Sequence, residues 1–257
     1  MNAKDIESAI NEYIRPQSFP VGARFCAGPD DFPAKTKRPK RDLGFQVAIC
    51  QSVGIARRYG WLLGIAEEDL SCPFAMIAFG YARETPKLNA GEYCAGLYTA
   101  TPEAGARSEA AVPRLDYSPT RALLLGPLAR WEGRLDVVVV YGNSAQVMRL
   151  AQAALYHDGG AIESFTTGRI DCSEILIRGA RQANVVLPCT GDRLFGLTAD
   201  DEMAFGFPAS QAEAIVEGLR ETHRSGIRYP TTTFLRFQAQ FPDKYNELMA
   251  ELRPNES

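Results

Sequence analysis

The stretch "DVVVVY", residues 136–141, constrains this chain more than any other. Successive strand residues point to opposite faces, so four valines in a row cannot alternate between core and water. A strand made of them must be covered on both sides. The chain therefore needs a sheet with a layer on either face. "GNSAQVMRLAQAALYHDGG" (142–160) follows directly and supplies part of one layer. It reads as a capped turn, an amphipathic helix and a double-glycine stop. Strand, turn and helix in this order favour an α/β unit.

The flanking segments extend that reading. Ile6, Ile10 and Ile14 recur every four residues ahead of Pro16, which predicts a short helix ended by the proline. "FPVGARF" (19–25), "NVVLPC" (184–189) and "EMAFGFP" (202–208) predict strands, and "ALLLGPLA" (122–129) suits a buried strand or short core segment. "FQVAICQSVGIARRYG" (45–60) predicts a helix stopped by Gly60, a second helix starts at Ser71, and "ASQAEAIVEGLRETHRSG" (209–226) forms a third. Residues 26–42, rich in Pro, Asp and Lys, read as a long loop. Its basic run "KTKRPKR" (35–41) is expected to be solvated, with anion or partner binding as the alternative. With 257 residues, 46% hydrophobic and 23% charged, the chain can bury its core as one domain spanning 1–257.

Several function classes fall away. A net charge of −3 argues against a nucleic-acid surface. No apolar run is long enough for a membrane span, and "MNAKDIESAINEYIR" lacks the apolar core of a secretory signal. The expectation is a cytoplasmic protein, whose six cysteines stay reduced. The sequence has two histidines, His157 and His223, and no glycine-flanked serine elbow, so a serine hydrolase does not fit. The acid groups "AEED" (66–69) and "ADDEM" (199–203) read as caps and solvated surface.

Sliding the chain against itself by 100 positions pairs Gln46 with Gln146, Gly60 with Gly160, Cys72 with Cys172, Ile77 with Ile177, and Gly91, Gly96 and Leu97 with Gly191, Gly196 and Leu197. The matches fall at helix starts, stops and turns. They suggest an internal duplication, with halves at about 19–110 and 120–226, a linking stretch at 105–122 and a C-terminal helical tail at 227–257. Halves packed about a local two-fold axis would bring Cys72 and Cys172 together. Ser71 and Asp171 read as N-caps, with Glu174 completing a capping box, so both thiols are expected in first helical turns. The positive end of a helix lowers a thiol pKa. The alternative is that cysteine packs there as a small hydrophobe.

"CQSVGIARRYG" (50–60), "SCPFAMIAFG" (71–80), the 137–160 stretch, "DCSEILI" (171–177), "NVVLPCTGDRLFG" (184–196), "EMAFGFP" and "GIRYP" (226–230) occur in one order. As a set, over about residues 19–245, they resemble the uncharacterised domain-of-unknown-function 169 family. The resemblance implies a compact α/β fold and no settled activity. It implies a cysteine pattern on Cys50, Cys72, Cys172 and Cys189, with Cys26 and Cys94 outside it. The family looks most common in archaea and in anaerobic or metabolically versatile bacteria, a setting compatible with iron–sulfur chemistry.

Four thiolates are the ligand count of a [4Fe–4S] cluster, and three can hold one with an open iron. No C-x-x-C pair exists, which counts against a zinc ribbon. Two turns are candidate anion sites. In "PCTGDR" (188–193), Gly191 and Asp192 can shape a backbone nest and Arg193 can clamp a carboxylate or phosphate; the alternative is a structural turn with an Asp192–Arg193 ion pair. In "YGNSAQ" (141–146), Asn143, Ser144 and Gln146 start a helix that could receive an anion. Neither turn carries a dinucleotide or P-loop fingerprint.

The leading expectation is an iron–sulfur protein, working in electron transfer or using an open iron as a Lewis acid on a small anionic metabolite. A metal-free metabolite-binding or accessory protein and a cysteine-dependent enzyme stand beside it. Partners would be that metabolite or a redox protein, with a homodimer left open.

Overall fold

The protein is described by a computed structural model covering residues 1–231 and 239–253. Helix α1 (Ala3–Tyr13) and strand β1 (Val21–Cys26) open the chain. Next come α2 (Ile49–Tyr59), β2 (Leu63–Ile65), α3 (Pro73–Ala78), α4 (Pro86–Asn89), α5 (Pro102–Ala111) and β3 (Ala122–Pro127). The second part carries β4 (Val137–Gly142), α6 (Ser144–Ala154), α7 (Asp171–Ser173), β5 (Asn184–Val186), α8 (Thr190–Phe195), β6 (Met203–Pro208) and α9 (Ala212–Arg224), with α10 (Asp243–Leu252) after them. Helix α7 runs straight into a π-helical turn at Glu174–Arg178.

The six strands form one sheet in the order β2-β3-β1-β4-β6-β5. Every neighbouring pair is antiparallel. The fold is thus mixed α/β. The valine strand β4 lies between β1 and β6, and all four valines are buried. Val137, Val139 and Tyr141 join the core beneath α2, α3 and the π-helical turn. Val138 and Val140 join Ile10, Leu150 and Leu219 from α1, α6 and α9 on the other face. Each buried valine contributes about 1.5 kcal/mol.

Gly60 ends α2 in the left-handed conformation, at φ 69°, as its position predicts. Asn143 and Gln146 form a reciprocal capping box on α6. Gln146 also donates to the carbonyls of Ile14 and Arg15, tying the end of α1 to this helix start. Two expected caps fall one residue away. The Ser71 amide donates to the Val47 carbonyl, and Cys72 itself occupies the N-cap of α3. Ile170 occupies the N-cap before Asp171, and Glu174 accepts from the amide and hydroxyl of Thr167 rather than closing a box. The basic run is not solvated throughout: Arg38 donates to buried Asp69 at 2.7 Å and to Glu68 at 2.6 Å. Part of the acid group 66–69 is therefore core.

The sheet reads the same from both edges when β1, β2 and β3 are exchanged for β4, β5 and β6. The 100-residue repeat does not appear in it. The paired strands begin at Val21 and Val137, Leu63 and Asn184, and Ala122 and Met203, so no common offset relates them. No helix among the described residues is long and apolar enough to cross a membrane.

Candidate functional site

Four helix starts meet over one face of the sheet. Cys50 is the second residue of α2, and Cys172 is the second residue of α7. Cys72 is the N-cap of α3, and Cys189 is the N-cap of α8. All four line a single cavity of about 370 Å³. Gly191 lines it too; a methyl group added there would lie 3.6 Å from Cys189 Sγ and 4.0 Å from Cys50 Sγ. These two sulfurs, 139 positions apart in sequence order, therefore flank one point. Cys26 and Cys94 are buried elsewhere, donating to the Arg24 carbonyl and to Glu109.

Close packing explains the convergence. Gly54 of α2 lies against the backbone of Gly196 at the end of α8, where a side chain would not fit. Arg57, buried on the same helix, donates to the Leu197 carbonyl, the Thr198 hydroxyl and both oxygens of Glu202. Its guanidinium also stacks 4.1 Å over the Tyr141 ring. This clamp fixes α2 against the segment that carries Cys189.

Two buried carboxyls stand behind the thiols. Asp171 accepts from the Cys189 amide at 2.9 Å and from Cys189 Sγ at 3.1 Å. Asp192 accepts from the Tyr141 hydroxyl at 2.8 Å. Burial and the neighbouring Asp192 charge push Asp171 up to about 7. Burial raises Asp192 as well, opposed by Tyr141 and Arg57. The Asp192 charge thus disfavours ionisation of Asp171.

The thiols do not behave as first-turn position alone predicts. Burial raises Cys50 and Cys172, and the nearby carboxyls and thiols add to it. Burial and then Asp171 push Cys189 up to about 12. Desolvation outweighs the helix field here. Burial and the nearby acids thus favour the protonated form of Cys50, Cys172 and Cys189.

The anion candidates disperse. Gly191 lines the cavity, while Asp192 is buried beneath it. Arg193 turns outward to the Ala199 carbonyl and Asp200, so the Asp192–Arg193 ion pair does not form. Asn143 and Gln146 are occupied by their own cap, and Asn143 also donates to Tyr229. Ser144 begins α6 beside them, outside the cavity lining. Sequence reasoning missed Arg169, which lines the cavity just before the "IDC" segment. Only its nearness to Cys172 could have drawn attention to it.

The family profile described as "Uncharacterised ArCR" matches residues 9–218. The chain belongs to the domain-of-unknown-function 169 family. It is also similar to the uncharacterised protein MJ0308 of Methanocaldococcus jannaschii, at 25% identity over 175 residues, covering 66% of this chain and 75% of that protein. No solved structure gives a significant match.

Proposed function

We propose that this family member binds a [4Fe–4S] cluster through Cys50, Cys72, Cys172 and Cys189, and uses it for electron transfer or, with one of the four thiols off the cluster and its iron open, as a Lewis acid. The observation that carries the reading is the meeting of four thiols from four separate helix starts around one cavity. Among the described residues, no three His, Cys, Asp or Glu side chains are set to hold a metal ion. A [4Fe–4S] cluster brings its own iron and sulfide between its ligands, so its thiols do not have to converge on a single ion. A bound metal would displace the protons of these raised thiols, so iron uptake would release protons and weaken as pH falls.

A thiol nucleophile is served poorly by this site. Catalytic cysteines need a depressed pKa, whereas Cys50, Cys172 and Cys189 are shifted the other way. Among the described residues, no histidine lines the cavity. The bound cluster would supply the redox or Lewis-acid chemistry. The protein's own part would be to bury the cluster, fix its ligands through α2 and α8, and set Asp171 beside Cys189.

The test is purification away from oxygen. The expected product is brown, with broad visible absorption, iron and acid-labile sulfide. Serine at Cys50, Cys72, Cys172 or Cys189 should lower the iron content, while Cys26→Ser and Cys94→Ser should not. A colourless, iron-free protein from iron-replete cells would overturn the proposal.

A further inference from the structure

Arg169 lines the thiol cavity and carries buried donors that no protein acceptor meets. Its side chain is 1% exposed and pairs with Glu109 through Nη2 at 2.5 Å. Glu109 is already shared: Arg114 donates to it at 2.8 Å and the Cys94 thiol at 3.2 Å. Nε and Nη1 of Arg169 are buried with no hydrogen-bond partner. Leaving such donors unmet is unfavourable, and a charge-assisted acceptor is the strongest way to meet them. The guanidinium also stands 5.0 Å from the Phe74 ring centroid and 5.9 Å from that of Tyr98, and both rings line the cavity.

We infer that the cavity takes a small monocarboxylate with a flat, apolar body, anchored on Arg169 and lying beside the thiols. Three features define that class. Arg169 is the one cationic side chain lining the cavity among the described residues, and a planar fork matches a carboxylate bidentately. Phe74, Tyr98 and Phe195 offer ring faces to an apolar body. Among the described residues, the lining offers no second cationic side chain to another acidic group, and the Asp171 carboxyl on the thiol side already accepts from Cys189 with both oxygens, so a dicarboxylate fits poorly. The inference rests on the cavity being the working site, and it names what the proposed cluster would act upon or respond to.

Benzoate is the probe and benzamide its neutral counterpart of similar shape. Each is titrated by calorimetry into the full-length protein purified without oxygen. Benzoate should bind at least about tenfold more tightly than benzamide, the equivalent of about 1.4 kcal/mol. Benzoate alone should shift the Arg169 Nε–H resonance. Arg169→Gln should remove the preference. If that variant fails to fold, the ligand pair and the resonance shift on the unaltered protein still decide. Absence of benzoate binding, or equal binding of both probes, overturns the inference. Iron and sulfide are measured on the same samples. Iron-free protein that prefers benzoate sinks the cluster and keeps the anchor, and iron-loaded protein indifferent to benzoate does the reverse.

Discussion

Replacing Gly54 by alanine tests how the site is built without touching a thiol. The added methyl would lie 2.4 Å from the Gly196 carbonyl oxygen, 2.7 Å from its carbon and 2.8 Å from its Cα. All three are backbone atoms, so no side chain can rotate away. Restoring ordinary contact at 3.4 Å requires α2 and the end of α8 to part by about 1 Å. In an isolated helix the same change would stabilise by about 1 kcal/mol. Overpacking costs about 1–3 kcal/mol and opposes it. The expected net effect is a loss of up to about 2 kcal/mol, measured by urea unfolding of the reduced, metal-free protein. The displacement should also move Cys50 from Cys189, so iron per chain after anaerobic purification should fall. A Gly54→Ala protein more stable than its parent, with full iron content, would refute the account of how α2 and α8 set the sulfurs.

Three further outcomes follow from the same geometry. Gly191→Val fills the point flanked by Cys50 and Cys189; it should leave the metal-free unfolding midpoint within about 1 kcal/mol yet abolish iron retention, and unchanged iron would speak against that point lying in the cluster space. Glu202→Gln leaves Arg57, fully buried, without its anionic partner and should cost about 3–5 kcal/mol at neutral pH. Burial raises the Glu202 pKa, but Arg57 and the Ala199 amide outweigh it and the net shift is down from 4.5; the stabilisation is present above that value and lost below it, so the variant and parent curves should converge in acid. Asp171 has the opposite sign. Its folded pKa of about 7 lies above its ordinary 3.8, so its contribution is full below 3.8 and is lost as pH rises towards 7; relative to Asp171→Asn, the metal-free protein should lose at most about 4 kcal/mol across that window, and parallel stability curves would contradict the raised Asp171 pKa.

Much of the fold was legible where the cause is local. The Val137–Val140 run required cover on both faces and has it. Gly60 and Asn143 act through their own backbones and fall where expected. Features set by tertiary contact were not legible. Ser71 looks like a cap, but its amide belongs to a bridge with Val47, so the cap passes to Cys72. Arg193 follows a glycine turn that suggests an anion nest, yet it reaches out to Ala199 and Asp200. Arg169 sits in no motif, and its burial at the cavity wall depends on α5 bringing Glu109 beside it. The thiol pKa values were misjudged for a related reason. The sequence displays the helix start, but the depth of burial and the approach of Asp171 emerge only in three dimensions.

The topology also changes which cysteines correspond. The 100-residue offset pairs Cys72 with Cys172, but the sheet relates them differently. Cys50 and Cys172 are each the second residue of a helical segment that leads into an edge strand, β2 or β5. Cys72 and Cys189 are each the N-cap of a six-residue helix that follows that edge strand. Each half of the sheet thus offers two thiols at matching stations, one before its edge strand and one after. Their roles nevertheless diverge in surroundings. Among the described residues, Cys189 alone of the four gives both its amide and its sulfur to an aspartate. Arg169, the one cation in the lining, comes from the Cys172 side. A cavity with symmetric ligands and asymmetric walls can hold a symmetric inorganic group while presenting only one side of it to a ligand. That separation, with ligation shared by both halves and recognition supplied by one, is what the cysteine and Arg169 substitutions would resolve independently.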